Sequence, residues 1–178
     1  MSKIDQRLAE VAAFLVGLSG GSMNYLKLLK LMYIADRESL KENHTTISGD
    51  SYVSMNHGPV LSLTYNLIKG EVQSDSWQSS LQKVGFDLKL IGPAPEPGFS
   101  EADEEILVRV FKQYEHMDKW TVRDLTHDFP EWEHPHGSSK AIPLPRLLNC
   151  LEIYGEEAEV IACQSEMSNY LVRQFASA

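Results

Sequence analysis

Between Met23 and Leu40, apolar side chains fall at nearly every helical angle. Tyr25, Leu26, Leu28, Leu29, Leu31, Met32, Tyr33, Ile34 and Ala35 leave only Lys27 and Lys30, three residues apart, for a narrow wet stripe. A helix apolar around most of its circumference must be enclosed by other elements. The segment is therefore expected to be the central helix of a mainly α fold, ending its apolar stretch at Asp36, Arg37 and Glu38. With 178 residues, the chain suits one domain spanning 1–178, long enough to bury about 70% of its unfolded surface.

The flanking segments supply the rest of that enclosure. Leu8, Val11, Ala12, Leu15 and Leu18 recur at helical steps over 5–18, and Gly20 and Gly21 stop the helix. Thr45 to Val53 places β-branched and aromatic residues on both sides of Ser48-Gly49-Asp50, which predicts a short hairpin. Pro59 suits the first turn of a following helix that Gly70 ends. Residues 71–85 are polar, anchored by Trp77 and Leu81, and Phe86–Leu90 alternates as a strand that could join the hairpin in one small antiparallel sheet. Pro93, Pro95, Pro97 and Gly98 make a rigid internal loop. Ser100 and Asp103 read as a capping box before Ile106, Leu107, Val110, Phe111 and Tyr114, and Thr121 can cap a short helix through Thr126. Prolines keep 128–145 mostly loop, until Leu147, Leu148, Leu151 and Tyr154 resume helical spacing. A last helix over 156–176 puts Val160, Cys163, Met167, Tyr170 and Leu171 on one stripe.

The formal charge is −9, and all the excess lies in the second half: residues 1–90 hold nine basic and nine acidic side chains, 91–178 seven and sixteen. No dense Lys/Arg run appears, which disfavours nucleic acid as the principal ligand. The acidic half can steer a basic protein partner or simply keep the chain soluble. The longest unbroken apolar run, the six residues Val11 to Val16, is far short of the ~18 that a membrane span needs. The opening MSKIDQRLAE has no signal-peptide layout, and Cys150 and Cys163 match no redox or zinc spacing, so a reducing cytoplasm is the expected compartment.

Groups able to carry chemistry are few. His127, His134 and His136, with the acids among them, have the ligand types of a metal site, but prolines interrupt any frame that could align them. Asp36, Asp50 and His57 could serve acid–base catalysis if they converge; otherwise Asp36 bonds a neighbouring backbone or an ion and Asp50 is a turn residue. Cys150 and Cys163 sit in apolar helical settings that suit a small hydrophobe. There is no nucleotide-binding glycine loop, and no metal or cofactor is expected. Met55-Asn56-His57-Gly58-Pro59-Val60 is more distinctive, a strand-to-helix corner whose free amides could receive a carboxylate. Trp77 and Trp120 read as core anchors, and Trp132, in its proline-bounded loop, as the recognition exception.

In order, Leu26–Asp36, Ile47–Tyr52 and His57–Val60, with Leu125-Thr126-His127 and Trp132, resemble the Panacea (SocA-like) antitoxin domain over about residues 5–155. The resemblance implies a mostly helical domain with a small β element that neutralises a toxin encoded beside it by direct protein binding. It places the chain in a toxin–antitoxin, phage-associated or defence-related setting. A SocA-like relative presents its toxin to a protease, so a proteolytic adaptor is the alternative, and a small enzyme using Asp36, Asp50 and His57 is the third reading. Some relatives carry an added DNA-binding segment; here the match starts close to Met1, and none is expected. The partner-binding surface expected is the corner of Tyr52, His57, Gly58, Pro59 and Val60, with Trp132.

Overall fold

The computed structural model describes residues 3–93, Glu96 and 98–175, with side chains through Met167. Among these residues eight helices and two three-stranded antiparallel sheets form a mainly α structure with some β. In chain order they are α1 (Lys3–Leu18), β1 (Ser22–Asn24), α2 (Tyr25–Asn43), β2 (Tyr52–Met55), β3 (Gly58–Leu61), α3 (Ser62–Lys69), α4 (Asp75–Ser80), β4 (Leu81–Val84) and β5 (Asp87–Leu90). Then follow α5 (Glu101–Tyr114), α6 (Lys119–His127), β6 (Lys140–Ile142), α7 (Leu144–Cys150) and α8 (Gly155–Phe175).

Helix α2 is central, as its all-round apolarity requires, with α1, α5, α6 and β3 packed about it. Leu28, Leu29, Leu31, Met32, Tyr33, Ile34, Ala35 and Leu40 are all buried. Each large side chain among them contributes about 1.5–3 kcal/mol relative to exposure. The stripe expected to be wet is so only at Lys27, which is half-buried. Lys30 is fully buried, and its Nζ donates to the Pro59 carbonyl at 2.7 Å. Lys27 Nζ donates to the Glu115 and Met117 carbonyls, supplying hydrogen bonds at the end of α5. The charge after Ala35 is buried as well. Arg37 pairs with Glu131 at 2.6 Å, Tyr33 donates to the same carboxylate at 2.8 Å, and the guanidinium lies 3.9 Å from the Phe129 ring centre.

The expected hairpin over 45–53 is absent; the pairing occurs one segment later, between β2 and β3, with Met55 opposite Gly58 and Tyr52 opposite Leu61. The reason lies in two buried carboxylates. Asp36 accepts the amides of Ile47 and Ser48, both at 2.9 Å, together with the Ser48 and Tyr52 hydroxyls, so these loop amides are satisfied without a partner strand. Burial raises the Asp36 pKa to about 6, against the pull of those hydrogen bonds. Asp50 accepts from the amides of Leu63 and Thr64 and the Thr64 hydroxyl, capping α3. Pro59 thus lies in edge strand β3, where its missing N–H is tolerated, and not in a helical first turn. The carboxylate expected at that helix start is the chain's own Asp50.

The β elements form two sheets, β3-β2-β6 and β1-β5-β4, where one was expected, because β5 pairs with β1 at the α1–α2 junction. The Ser100–Asp103 capping box is present. Helix α6 is capped by Asp118, which accepts from Trp120 and Thr121, and not by Thr121. Helix α8 turns Ile161 and Ala158 toward the core, leaving Val160, Cys163 and Met167 exposed; its side chains at Tyr170 and Leu171, like Pro95 and Pro97, lie outside the described residues. Tyr154 is also exposed.

Candidate functional site

Three chain segments fix a groove of about 480 Å³ above the start of α2. The first is the Asn56-His57 turn joining β2 and β3. Gly58, at φ +87°, brings this turn so close to α6 that a Cβ there would lie 2.6 Å from Thr126 Oγ1 and 3.0 Å from Lys30 Nζ. Only glycine meets both demands. Lys30 holds the Pro59 carbonyl from below, and the Trp132 indole N–H donates to the Met55 carbonyl at 3.0 Å from the side. Trp132 itself stacks on His127, ring centres 4.2 Å apart. His57 is left exposed at the tip, edge-on to Trp120 at 6.0 Å.

The second segment is the β4–β5 turn. The Phe86 carbonyl accepts from both the Tyr25 amide at 2.9 Å and Asn24 Nδ2 at 3.0 Å, while Asn24 Oδ1 caps α2 through the Leu26 amide. The turn is thereby bolted to the α2 N-terminus, and the Phe86 ring, 69% exposed, stacks on Tyr25 at 6.2 Å. The third is the first turn of α6, where the Asp118 cap sets Trp120, 46% exposed, opposite Phe86. Leu29 and Val60, both buried, are among the residues forming the floor. Exposed aromatic side chains held on fixed backbone would lose little entropy on being covered.

Beneath the hairpin lie the buried Lys30 and the half-buried His127. Burial, with Arg123 nearby, lowers the Lys30 pKa to about 7. Burial, then Lys30 and Arg123, also lowers that of His127, whose Nε2 is buried without a hydrogen-bond partner.

The structure separates the residues singled out from sequence. His57 and Val60 line the groove, while Gly58 and Pro59 are buried under it. Tyr52 is buried, its hydroxyl on Asp36, and its ring packs edge-on to Tyr33 at 5.4 Å. Trp132 is half-buried and clamps the hairpin; the exposed tryptophan is Trp120, which sequence reading assigned to the core. Trp77 is buried as expected. Phe86, Tyr25 and Lys119 were missed as site residues. The only signal for Phe86 was its place after Gly85, at a turn rather than within a strand.

Asp36, Asp50 and His57 do not form an acid–base constellation. Both carboxylates are buried in structural hydrogen bonds, and His57 packs at the hairpin tip against Trp120. Cys163 is exposed, contrary to the expected apolar setting, and burial raises the Cys150 pKa, opposite to what an activated thiol needs. In the histidine stretch, Glu131 serves Arg37 and Glu133 serves Lys140 and Arg146. Among the described residues no three His, Cys, Asp or Glu side chains are grouped as a metal site requires, and no helix is long and apolar enough to cross a membrane.

No curated protein and no solved structure matches the chain. The model of the family described as "Antitoxin SocA-like, Panacea domain" matches residues 28–133. That span, more than half the chain, takes in most of the central helix, Lys30, both hairpins, α6 and the Trp132 clamp. The chain belongs to the SocA-like antitoxin family, and the matched span contains His57, Phe86 and Trp120 of the aromatic groove.

Proposed function

We propose that the chain works in the cytoplasm, as a single domain, as an antitoxin that neutralises a protein toxin encoded by a neighbouring gene. It does so by binding the toxin directly through the groove bounded by His57, Phe86 and Trp120. The family supports an antitoxin role, and the observation that carries the direct-binding reading is the groove itself. Its exposed rings stand on backbone already fixed by hydrogen bonds to α2 and by the Asp118 cap. Binding then costs little ordering of the antitoxin, and large rings in a preformed cleft supply the energy.

Co-expression with the neighbouring gene's product should restore growth, and the purified pair should form a complex. Trp120→Ala should weaken that complex by about 2 kcal/mol, near thirtyfold, with thermal stability almost unchanged, since half the ring already faces solvent. Persistent toxicity at excess antitoxin, with no complex formed, would exclude direct neutralisation. Rescue confined to cells carrying one protease, with falling toxin level, would replace it by delivery to that protease. Equal binding by folded Trp120→Ala and His57→Ala proteins would move recognition away from the groove.

A further inference from the structure

The chain as a whole is acidic, at −9, yet the rim of the groove is basic. Lys119 Nζ stands 5.7 Å from the centre of the Phe86 ring and 5.2 Å from that of Trp120, and Lys83 Nζ stands 5.1 Å from that of Tyr25. The Arg123 guanidinium lies 4.8 Å from Trp120, but Arg123 also pairs with Asp124 at 2.5 Å. Among the described residues, Lys119 and Lys83 form no ion pair. The neighbouring acids are held by hydrogen bonds, though the Asp118 carboxylate remains within electrostatic reach of Lys119. Asp118 accepts the Trp120 and Thr121 amides at 2.8 Å, and Asp87 faces Asn24 Nδ2 at 3.4 Å. A lysine laid along an aromatic face keeps its charge while losing water on one side, so it meets an incoming carboxylate already positioned.

We infer that the groove takes an acidic segment of the partner protein bearing one aromatic or large aliphatic anchor. The anchor enters between Phe86 and Trp120 above Leu29 and Val60, and the flanking carboxylates meet Lys119 and Lys83. The identification of that partner as the toxin rests on the direct-neutralisation reading; the groove's chemistry does not. Single-stranded nucleic acid also combines negative charge with stacking. Two unpaired rim cations on a net-acidic chain fit a short run of carboxylates better than a phosphate at every nucleotide.

The first arm of the test needs no toxin. The full chain, labelled for NMR at its tryptophan indoles, is titrated with an acidic blocked peptide, Glu-Asp-Trp-Glu-Asp, with its lysine-inverted counterpart, and with a short oligo-dT. The acidic peptide should shift the Trp120 indole signal saturably and leave buried Trp77 still, and the lysine peptide should do neither. Lys119→Glu should abolish the shift, and Lys112→Glu, on an exposed α5 position outside the groove, should preserve it. No shift, an equal response to both peptides, or a stronger response to oligo-dT overturns the inference.

In the second arm the toxin complex is measured with Lys119→Glu and Lys83→Glu. Each should lose about tenfold in affinity near 50 mM salt and much less near 500 mM, where screening is short-ranged. If the toxin binds both variants as it binds the parent, neutralisation stands and the groove assignment falls. If the peptide arm succeeds while the toxin fails to bind the parent, the groove assignment stands and the toxin reading falls.

Discussion

Replacing Gly58 by alanine tests whether the β2–β3 turn is held by close approach or merely by its hydrogen bonds. Two costs are set by the structure. The backbone at φ +87° places an L side chain in the left-handed region, and the new Cβ would meet Thr126 Oγ1 at 2.6 Å, Lys30 Nζ at 3.0 Å and His127 Cδ2 at 3.2 Å. The first costs about 1–2 kcal/mol and the second, as overpacking, about 1–3 kcal/mol, giving roughly 2–5 kcal/mol together. Thr126 is fully buried, and its hydroxyl donates to the Arg123 carbonyl, so Thr126→Ala alone should cost about 1–2 kcal/mol. That change also removes the shortest clash. The double variant should therefore be more stable than the sum of the singles predicts, by about 1–2 kcal/mol. Urea unfolding followed by circular dichroism reads all three values. A Gly58→Ala protein within about 0.5 kcal/mol of the parent, or strict additivity with Thr126→Ala, would refute the close-approach argument.

Glu131→Ala leaves Arg37 buried without its partner and should destabilise by about 3–5 kcal/mol, whereas the double change Arg37→Met with Glu131→Leu should cost clearly less, both read by denaturant unfolding. Lys30 has a folded pKa of about 7 against an unfolded value near 10.4, so the unfolded chain binds the extra proton between those limits. The burden of the buried charge is complete below pH ~7 and is relieved as pH rises toward ~10. The stability of the parent relative to Lys30→Met should thus improve by about 2 kcal/mol between pH ~6.5 and ~9, and a pH-independent difference would mean that the amine stays protonated in the folded chain throughout, its pKa not lowered by burial. Tyr52→Phe, which removes one donor from Asp36, should cost about 1–2 kcal/mol of stability and leave toxin affinity unchanged; weakened affinity at unchanged stability would put Tyr52 at the interface.

The candidate site was half legible in the linear chain. Gly58 and Pro59 announce a constrained backbone whatever surrounds them, and His57 sits between that constraint and a strand, so the corner could be found. Its opposite wall could not. Phe86 reaches the groove because its carbonyl binds Asn24 and Tyr25, some sixty residues earlier, and Trp120 because Asp118 starts α6 one turn before the Thr121 cap that local spacing suggested. Trp120 and Trp132 are equally apolar in composition, and only the packing of the 128–145 loop makes one a clamp and the other an exposed ring.

The central helix, the Ser100 capping box, the α3 end at Gly70 and the strand at 87–90 were determined by the sequence alone. Helical and strand periodicities, caps and left-handed glycines are local signals, complete within a few residues. Tertiary structure decided which carboxylate satisfies which amides. Asp36 takes the amides of Ile47 and Ser48 that a hairpin would have used, and Asp50 takes the α3 terminus that looked open to a ligand. It also decided that Lys30 is buried while Val160 and Met167 are exposed, against the pattern of their own helices. A periodicity says that a face is apolar; what lies against that face depends on contacts distant in sequence, and those exist only once the chain has closed around α2.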